Sequence, residues 1–241
     1  MIYLDAQKGL CEKLDINYDD VAAGLHGLFS LSNIKSYLKT AILKVWDLHP
    51  WDFSEGDEKI TSYNTDYYDY PQQYISGSIN YLTVAGEEFD KKDWRDYMNK
   101  LKTDSNCKDK IFAERKREVF INKNAYSIGD EIVMYGKLKA TIPTNDNDLM
   151  PFSEDTDALE DSGNNAIIDL AFAEALDSEK MGEPQRAIEV TNKAFGNLNA
   201  NWSHYSKFRA TEKPTRPFFN VPDFIKGSRP SNPNQIGRFT Y

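Results

Sequence analysis

The sequence has few of the residues that build covalent or metal-based chemistry. Only two of its 241 residues are cysteines, Cys11 and Cys107, far apart and in no CxxC or Cys/His pattern. Free thiols in a reducing compartment are therefore expected rather than a disulfide framework or a zinc site. Its three histidines, His26, His49 and His204, are scattered. None falls in an HExxH or Asp/Glu–His grouping, so no hydrolytic metal motif can be read. Long apolar runs are missing too. The longest uncharged stretch, Val21 to Ile34, contains Gly, His, Ser and Asn and is too short to cross a bilayer. The opening MIYLDAQKGL carries an early aspartate and no basic segment ahead of an apolar core, so no secretory signal is expected. Together these absences argue against an enzyme, a cofactor or a membrane partner, and for assembly in a cytoplasm-like environment.

What the chain has is charge and aromatic rings. Hydrophobic content is 40%, low for a globule, yet 13% of residues are aromatic, including fourteen tyrosines and thirteen phenylalanines. Burial is thus expected to rest on a few large rings that keep a polar handle. The net charge of −9 is uneven: residues 200–241 hold seven basic and two acidic residues, net +5, which leaves −14 on the rest. A basic end on an acidic body suggests docking on an acidic surface of its own chain, a sister copy or a partner.

The best-patterned stretch is Ser30–Phe53. Ile34, Leu38, Ala41/Ile42, Val45 and Leu48 recur at helical steps after Ser32, the expected N-cap, and Pro50 places the boundary at His49. Trp46, Trp51 and Phe53 cluster at its exit and are expected to be core. Upstream, Leu4, Leu10 and Leu14 make a weak stripe. Asn17 caps an expected helix Tyr18–Leu28 with Val21, Leu25 and Leu28 inward, against the influence of Gly24 and Gly27.

Beyond Phe53 the period changes to that of strands. Glu58–Tyr63 and Ser78–Val84 alternate partly, the second running into an Ala85-Gly86 turn. Between them four tyrosines crowd around Pro71 in an expected extended edge segment. Phe89–Thr103 reads as a weak helix. Glu118–Asn122 and Glu131–Thr141 read as a hairpin, burying Val119 and Ile121, then Ile132, Met134, Gly136 and Leu138.

Thr144–Ser162 holds seven acidic residues and no Lys or Arg. The ligand order of an EF-hand is absent, and an acidic loop entering a helix is the preferred reading over a carboxylate–metal enzyme. An Ala-rich helix from Asp157 or Asn164 and a second from Glu183 to about Leu198, with Pro184 in its first turn, form an expected antiparallel pair. Regular structure is expected to end after Asn199. The remainder holds five prolines and interleaved rings, the composition of an extended arm: Trp202, Tyr205, Phe208, Arg209, Arg216, Phe218, Phe219, Phe224, Arg229, Arg238, Phe239 and Tyr241. Stacking on single-stranded nucleic acid is the alternative, which the −14 body opposes.

The order of these parts resembles a known family. A capped helix ends in W-x4-W-x-F and a Tyr68-Asp69-Tyr70-Pro71 segment leads into short strands. An EVFIN…EIVMYGKLKA strand pair, an acidic DLMPFSED turn and an Ala-rich helical hairpin follow. This looks like the head-to-tail adaptor proteins of short-tailed bacteriophages, closest in flavour to the ring proteins of crAss-like phages. The resemblance covers most of residues 17–199. It implies an α+β fold: a bundle of the long N-terminal helix and the C-terminal αα-hairpin, with an antiparallel β-rich region inserted and a C-terminal arm. The implied parts are residues 1–53, 54–156, 157–199 and 200–241. It further implies a virion protein, a homo-oligomeric and dodecameric ring assembled in the host cytoplasm. Such a ring would bind the portal through its arm, meet further tail or ring proteins, and surround passing double-stranded DNA. Asp146, Asp148, Glu154, Asp155 and Asp157 are then candidates to face the channel, where negative charge would let DNA slide. A cytoplasmic interaction scaffold with a basic docking tail is the alternative from another functional class.

Overall fold

The computed structural model describes residues 1–154 and 159–211. Among these the fold is mixed α+β, with six α-helices and a curled seven-stranded sheet. Helix α1 (Tyr3–Lys13) buries Tyr3, Ala6, Gln7, Leu10 and Cys11, and Leu14 follows on the same face. Helix α2 is only Tyr18–Ala22, capped by Asn17, whose side chain accepts from the Asp19 amide at 2.8 Å. The expected continuation to Leu28 does not form. Gly24 sits at φ +72°, a left-handed stop that glycine adopts without a Cβ penalty. Leu25 and Leu28 are left 76% and 56% exposed rather than inward.

Helix α3 (Leu31–Leu48) buries Ile34, Leu38, Ala41, Ile42, Val45 and Trp46 on the expected stripe. Its cap is Ser30, not Ser32. Ser30 Oγ accepts from the Asn33 amide while Asn33 Oδ1 accepts from the Ser30 amide, a reciprocal pair. His49 leaves the helix in an extended conformation (φ −141°, ψ 160°), as the following proline requires.

The sheet is built from β1 (Glu55–Thr61), β2 (Tyr68–Asp69), β3 (Tyr81–Val84), β4 (Glu87–Lys91), β5 (Ile111–Arg115), β6 (Glu118–Ile121) and β7 (Glu131–Lys137), in the order β1-β7-β3-β4-β5-β6-β2. All neighbours are antiparallel except β4 and β5, which run parallel with Asp90 beside Ile111. Helix α4 (Trp94–Thr103) makes the crossover that a parallel pair needs. Phe89 is therefore a strand residue, 2% exposed, and the helix expected from Phe89 starts only at Trp94.

The hairpin expected between Glu118–Asn122 and Glu131–Thr141 does not form. Strand β6 pairs with β5 and β2, whereas β7 pairs with β1 and β3. The partner of β6 is supplied locally through the two-residue turn Lys116-Arg117, which puts Phe112 opposite Ile121. The inward residues are nevertheless those expected: Val119, Ile121, Ile132 and Met134 are all at most 2% exposed. The tyrosine segment is largely interior. Tyr68, Tyr70 and Tyr74 are buried in the sheet core, and only Tyr67 and Tyr63 are substantially exposed. Each buried phenol is satisfied: Tyr74 donates toward the carbonyls of Gly56 (2.8 Å) and Met134 (2.9 Å), and Tyr70 accepts from the Ser78 amide at 2.9 Å. Burial raises the pKa of both hydroxyls, with nearby Glu58 adding to the rise at Tyr74.

Helices α5 (Leu159–Asp177) and α6 (Pro184–Thr211) pack on each other and, with α1 and α3, enclose the larger core. Gly182 at φ +66° makes the turn between them and Pro184 opens α6. Gly163 lies face to face with Phe152: a Cβ there would sit 2.5 Å from the ring. Regular structure does not end after Asn199. Helix α6 continues through Thr211, because Leu198 and Trp202 extend its inward face onto the end of α3.

Candidate functional site

The end of α3 is where the helical core, the sheet and the C-terminal segment meet. Trp46 Nε1 donates to the Leu138 carbonyl at 3.0 Å, and Lys137 Nζ reaches Asp47 at 2.8 Å, tying α3 to the segment at the end of β7. Trp51 Nε1 turns back to the Val45 carbonyl at 2.9 Å, so its indole N–H is satisfied while the ring packs edge-on against Phe152. Trp46 and Trp51 are buried, as expected, at 4% and 2% exposure, whereas Phe53 is only half-buried against the same core. Onto this plug comes Trp202 from α6. It stacks on His49 at 5.0 Å and meets Trp51 edge-on at 5.3 Å. One helical turn earlier, Asn199 Oδ1 lies 2.8 Å from His49 Nε2. Since the amide oxygen only accepts, Nε2 carries the proton. His49 Nδ1 is buried with no hydrogen-bond partner, and burial lowers the pKa of this imidazole. A neutral ring stacked between two elements is a packing device.

The residues expected to form a docking arm divide accordingly. Trp202 is part of the helical core and fixes the direction of α6. Tyr205, Phe208 and Arg209 lie on the last turns of the same helix. Arg216, Phe218, Phe219, Phe224, Arg229, Arg238, Phe239 and Tyr241 lie outside the described residues.

The acidic candidates prove to be local clamps where they are described. Asp146 accepts from Gln7 Nε2 at 3.1 Å and Lys35 Nζ at 3.4 Å, and the Gln7 hydrogen bond leads in lowering its pKa. Asp148 accepts from the amides of Thr144 and Asn145, both at 2.8 Å, which lowers its pKa and ties a turn. The backbone carbonyls of these two aspartates take the otherwise orphaned amides of Tyr3 and Leu4 at the start of α1. Glu160 performs a matching task, receiving the Met1 ammonium at 2.5 Å, which lowers its pKa. Burial of Tyr3, with Asp146 adding, pushes that phenol up to about 12. The segment thus caps α1, a role its charge density alone did not reveal. Glu154 ends a 3₁₀ turn, Pro151–Glu154, while Asp155 and Asp157 lie outside the described residues.

The described residues also line open clefts. One of about 620 Å³ runs along α4 and the chain before β5, with Lys100 and Asp109 ion-paired at its rim. Another, about 370 Å³, lies where the curled sheet brings Glu58 and Ile60 of β1 toward Asp69 and Tyr70. In the first, Cys107 lies beside Asp109, whose pKa is lowered chiefly by its hydrogen bond to Lys100 and further by one to the Cys107 side chain. Among the described residues no group of three or more His, Cys, Asp or Glu could hold a metal ion, and no helix is long and apolar enough to cross a membrane. Compared with models of known protein families and with curated proteins, the chain matches none.

Proposed function

We propose that this protein is a structural ring component of the head-to-tail adaptor type, joining a portal to tail parts around a DNA exit channel. On this reading α1, α3, α5 and α6 act as the adaptor bundle, the sheet of residues 55–137 is the inserted region, and the C-terminal basic, aromatic segment docks on the portal. The observation that carries the reading is the pinning of α6 by Trp202. A 28-residue helix held at the Trp51–His49 junction delivers the basic, ring-rich residues 212–241 from a fixed point on the body. A rigid mount lowers the ordering entropy of docking, which otherwise offsets much of the contact energy. The acidic body agrees with a passage that does not grip phosphate.

The fold narrows how this is tested. Deleting residues 200–241 would remove Trp202 and damage the core itself. Deletion of residues 212–241 leaves α6 and its stacking intact, so it isolates docking from folding. The reading expects this shorter protein to remain folded and lose portal binding in a pull-down. Unchanged portal affinity would sink the docking assignment.

A further inference from the structure

We propose that copies of this chain join head to tail through the two ends of one sheet, the Lys116-Arg117 turn of one copy seating on the Glu87, Glu88 and Glu131 edge of the next. This rests on the ring reading and names the surfaces that would close the ring.

The parallel register of β4 and β5 puts the two tips at opposite ends. The Ala85-Gly86 turn precedes β4, whereas the Lys116-Arg117 turn follows β5. With Asp90 level with Ile111, Glu87 and Lys116 lie eight residues apart along the strand direction, about 26 Å at about 3.3 Å per residue. That exceeds the screening length of about 8 Å at physiological salt, and a sheet cannot fold end to end. The two tips therefore cannot satisfy each other within one chain.

The acidic end gathers three exposed carboxylates. Glu87 and Glu88 follow the β3–β4 turn, and the Ala85 amide bonds to the Glu131 carbonyl at 2.8 Å, bringing the start of β7 alongside. Lys110 reaches Glu87 at 2.8 Å as an exposed pair, which leaves this edge net negative. Ile128, 71% exposed in the loop entering β7, adds an apolar contact at the same end.

The basic end carries Arg115, Lys116 and Arg117, all exposed. Arg115 lies over the Trp94 ring at 4.7 Å and opposite Glu118, whose other neighbour across the sheet is Asp69. Lys116 and Arg117 make no ion pair among the described residues. Their backbones sit at φ +51° and +64°, where L side chains are strained. Asn-Gly is the pair that folding favours in a two-residue hairpin turn. Two cations held there against local preference point to use of the charge itself. A nucleic acid would meet the −9 chain as well as the tip, whereas every copy brings a matching acidic edge. Contacts of this head-to-tail kind generate closed rings when the rotation between copies closes.

The test uses full-length protein and reads assembly by mass photometry, alone and with the portal, at about 150 mM salt. Lys116→Glu with Arg117→Glu, and separately Glu87→Lys with Glu88→Lys, should each cut self-association at least about tenfold. An equimolar mixture should restore it, because each variant then offers the charge the other lacks. Lys116→Asn with Arg117→Gly should raise Tm yet still weaken assembly, which separates contact from folding. Wild-type rings with both reversals assembling normally would overturn this interface and leave the ring reading standing. So would a mixture that fails to recover. Normal assembly of the Lys116→Glu, Arg117→Glu variant, with loss only of duplex DNA retention, would make the tip a nucleic-acid contact instead. No self-association of the wild type under either condition would overturn both.

Discussion

Trp202 lies flat on His49, their rings 5.0 Å apart and 9° from parallel, although 152 residues separate them in the chain. This contact joins the last turns of α6 to the last turn of α3. The pair decides where the C-terminal segment begins. Trp202→Ala should destabilise the fold by about 2 kcal/mol, below the 3–5 kcal/mol typical of a fully buried ring because Trp202 is half-buried. Chemical denaturation with the m-value held constant measures it. No change in midpoint would mean that α6 is not anchored there.

Trp51→Ala should cost more, about 3–5 kcal/mol, since this ring is buried and bears on Phe53, Phe152 and Trp202 at once. Stability should fail before assembly does. A stable, folded Trp51→Ala protein that cannot form rings would make the α3 exit an interface rather than a core plug.

His49 should give the junction a pH dependence of definite sign. Its folded pKa is lowered by burial, so the unfolded chain binds a proton more readily as pH falls through about 6.5. The neutral ring therefore contributes its full stability above that value, and stability drops on acidification toward the lower folded pKa. Tm measured from pH 7.5 to 5 should fall less steeply in His49→Phe than in the wild type. Parallel slopes would show that protonation at His49 is not coupled to folding.

Gly163→Ala should destabilise in spite of the gain in helix propensity of about 1 kcal/mol. The added Cβ would lie 2.5 Å from the Phe152 ring, and forcing that contact costs about 1–3 kcal/mol. A rise in Tm would show that Phe152 can move aside cheaply.

The parts that could be read from residues alone are those where local chemistry and tertiary packing agree. The α3 stripe, its stop at Pro50 and the Gly182/Pro184 turn are of this kind, because each depends on residues within one or two turns. The Ala85-Gly86 hairpin is another, with both residues at positive φ. The pairing of β6 with β5 was hidden because its turn is Lys116-Arg117, with no Gly, Asn or Asp to mark it. Without that turn, β6 looked as though it must pair forward with β7. The tyrosine run does hold a sheet edge, as β2, but its burial was hidden because phenols satisfied by Gly56, Met134 and Ser78 cannot be told from solvated ones by composition. At the junction, the importance of Trp51 was legible. The contacts of Trp202 with Trp51 and of Asn199 with His49 were not, because proline and basic residues beyond Thr211 masked how far α6 runs.

The central claim is that this chain is built to assemble into a ring. Electron microscopy of the full-length protein, alone and mixed with the portal, tests it most directly. Closed rings that persist in the protein lacking residues 212–241, but no longer join the portal, are the expected result. Monomers alone in both preparations, across concentrations well above those in a cell, would contradict it.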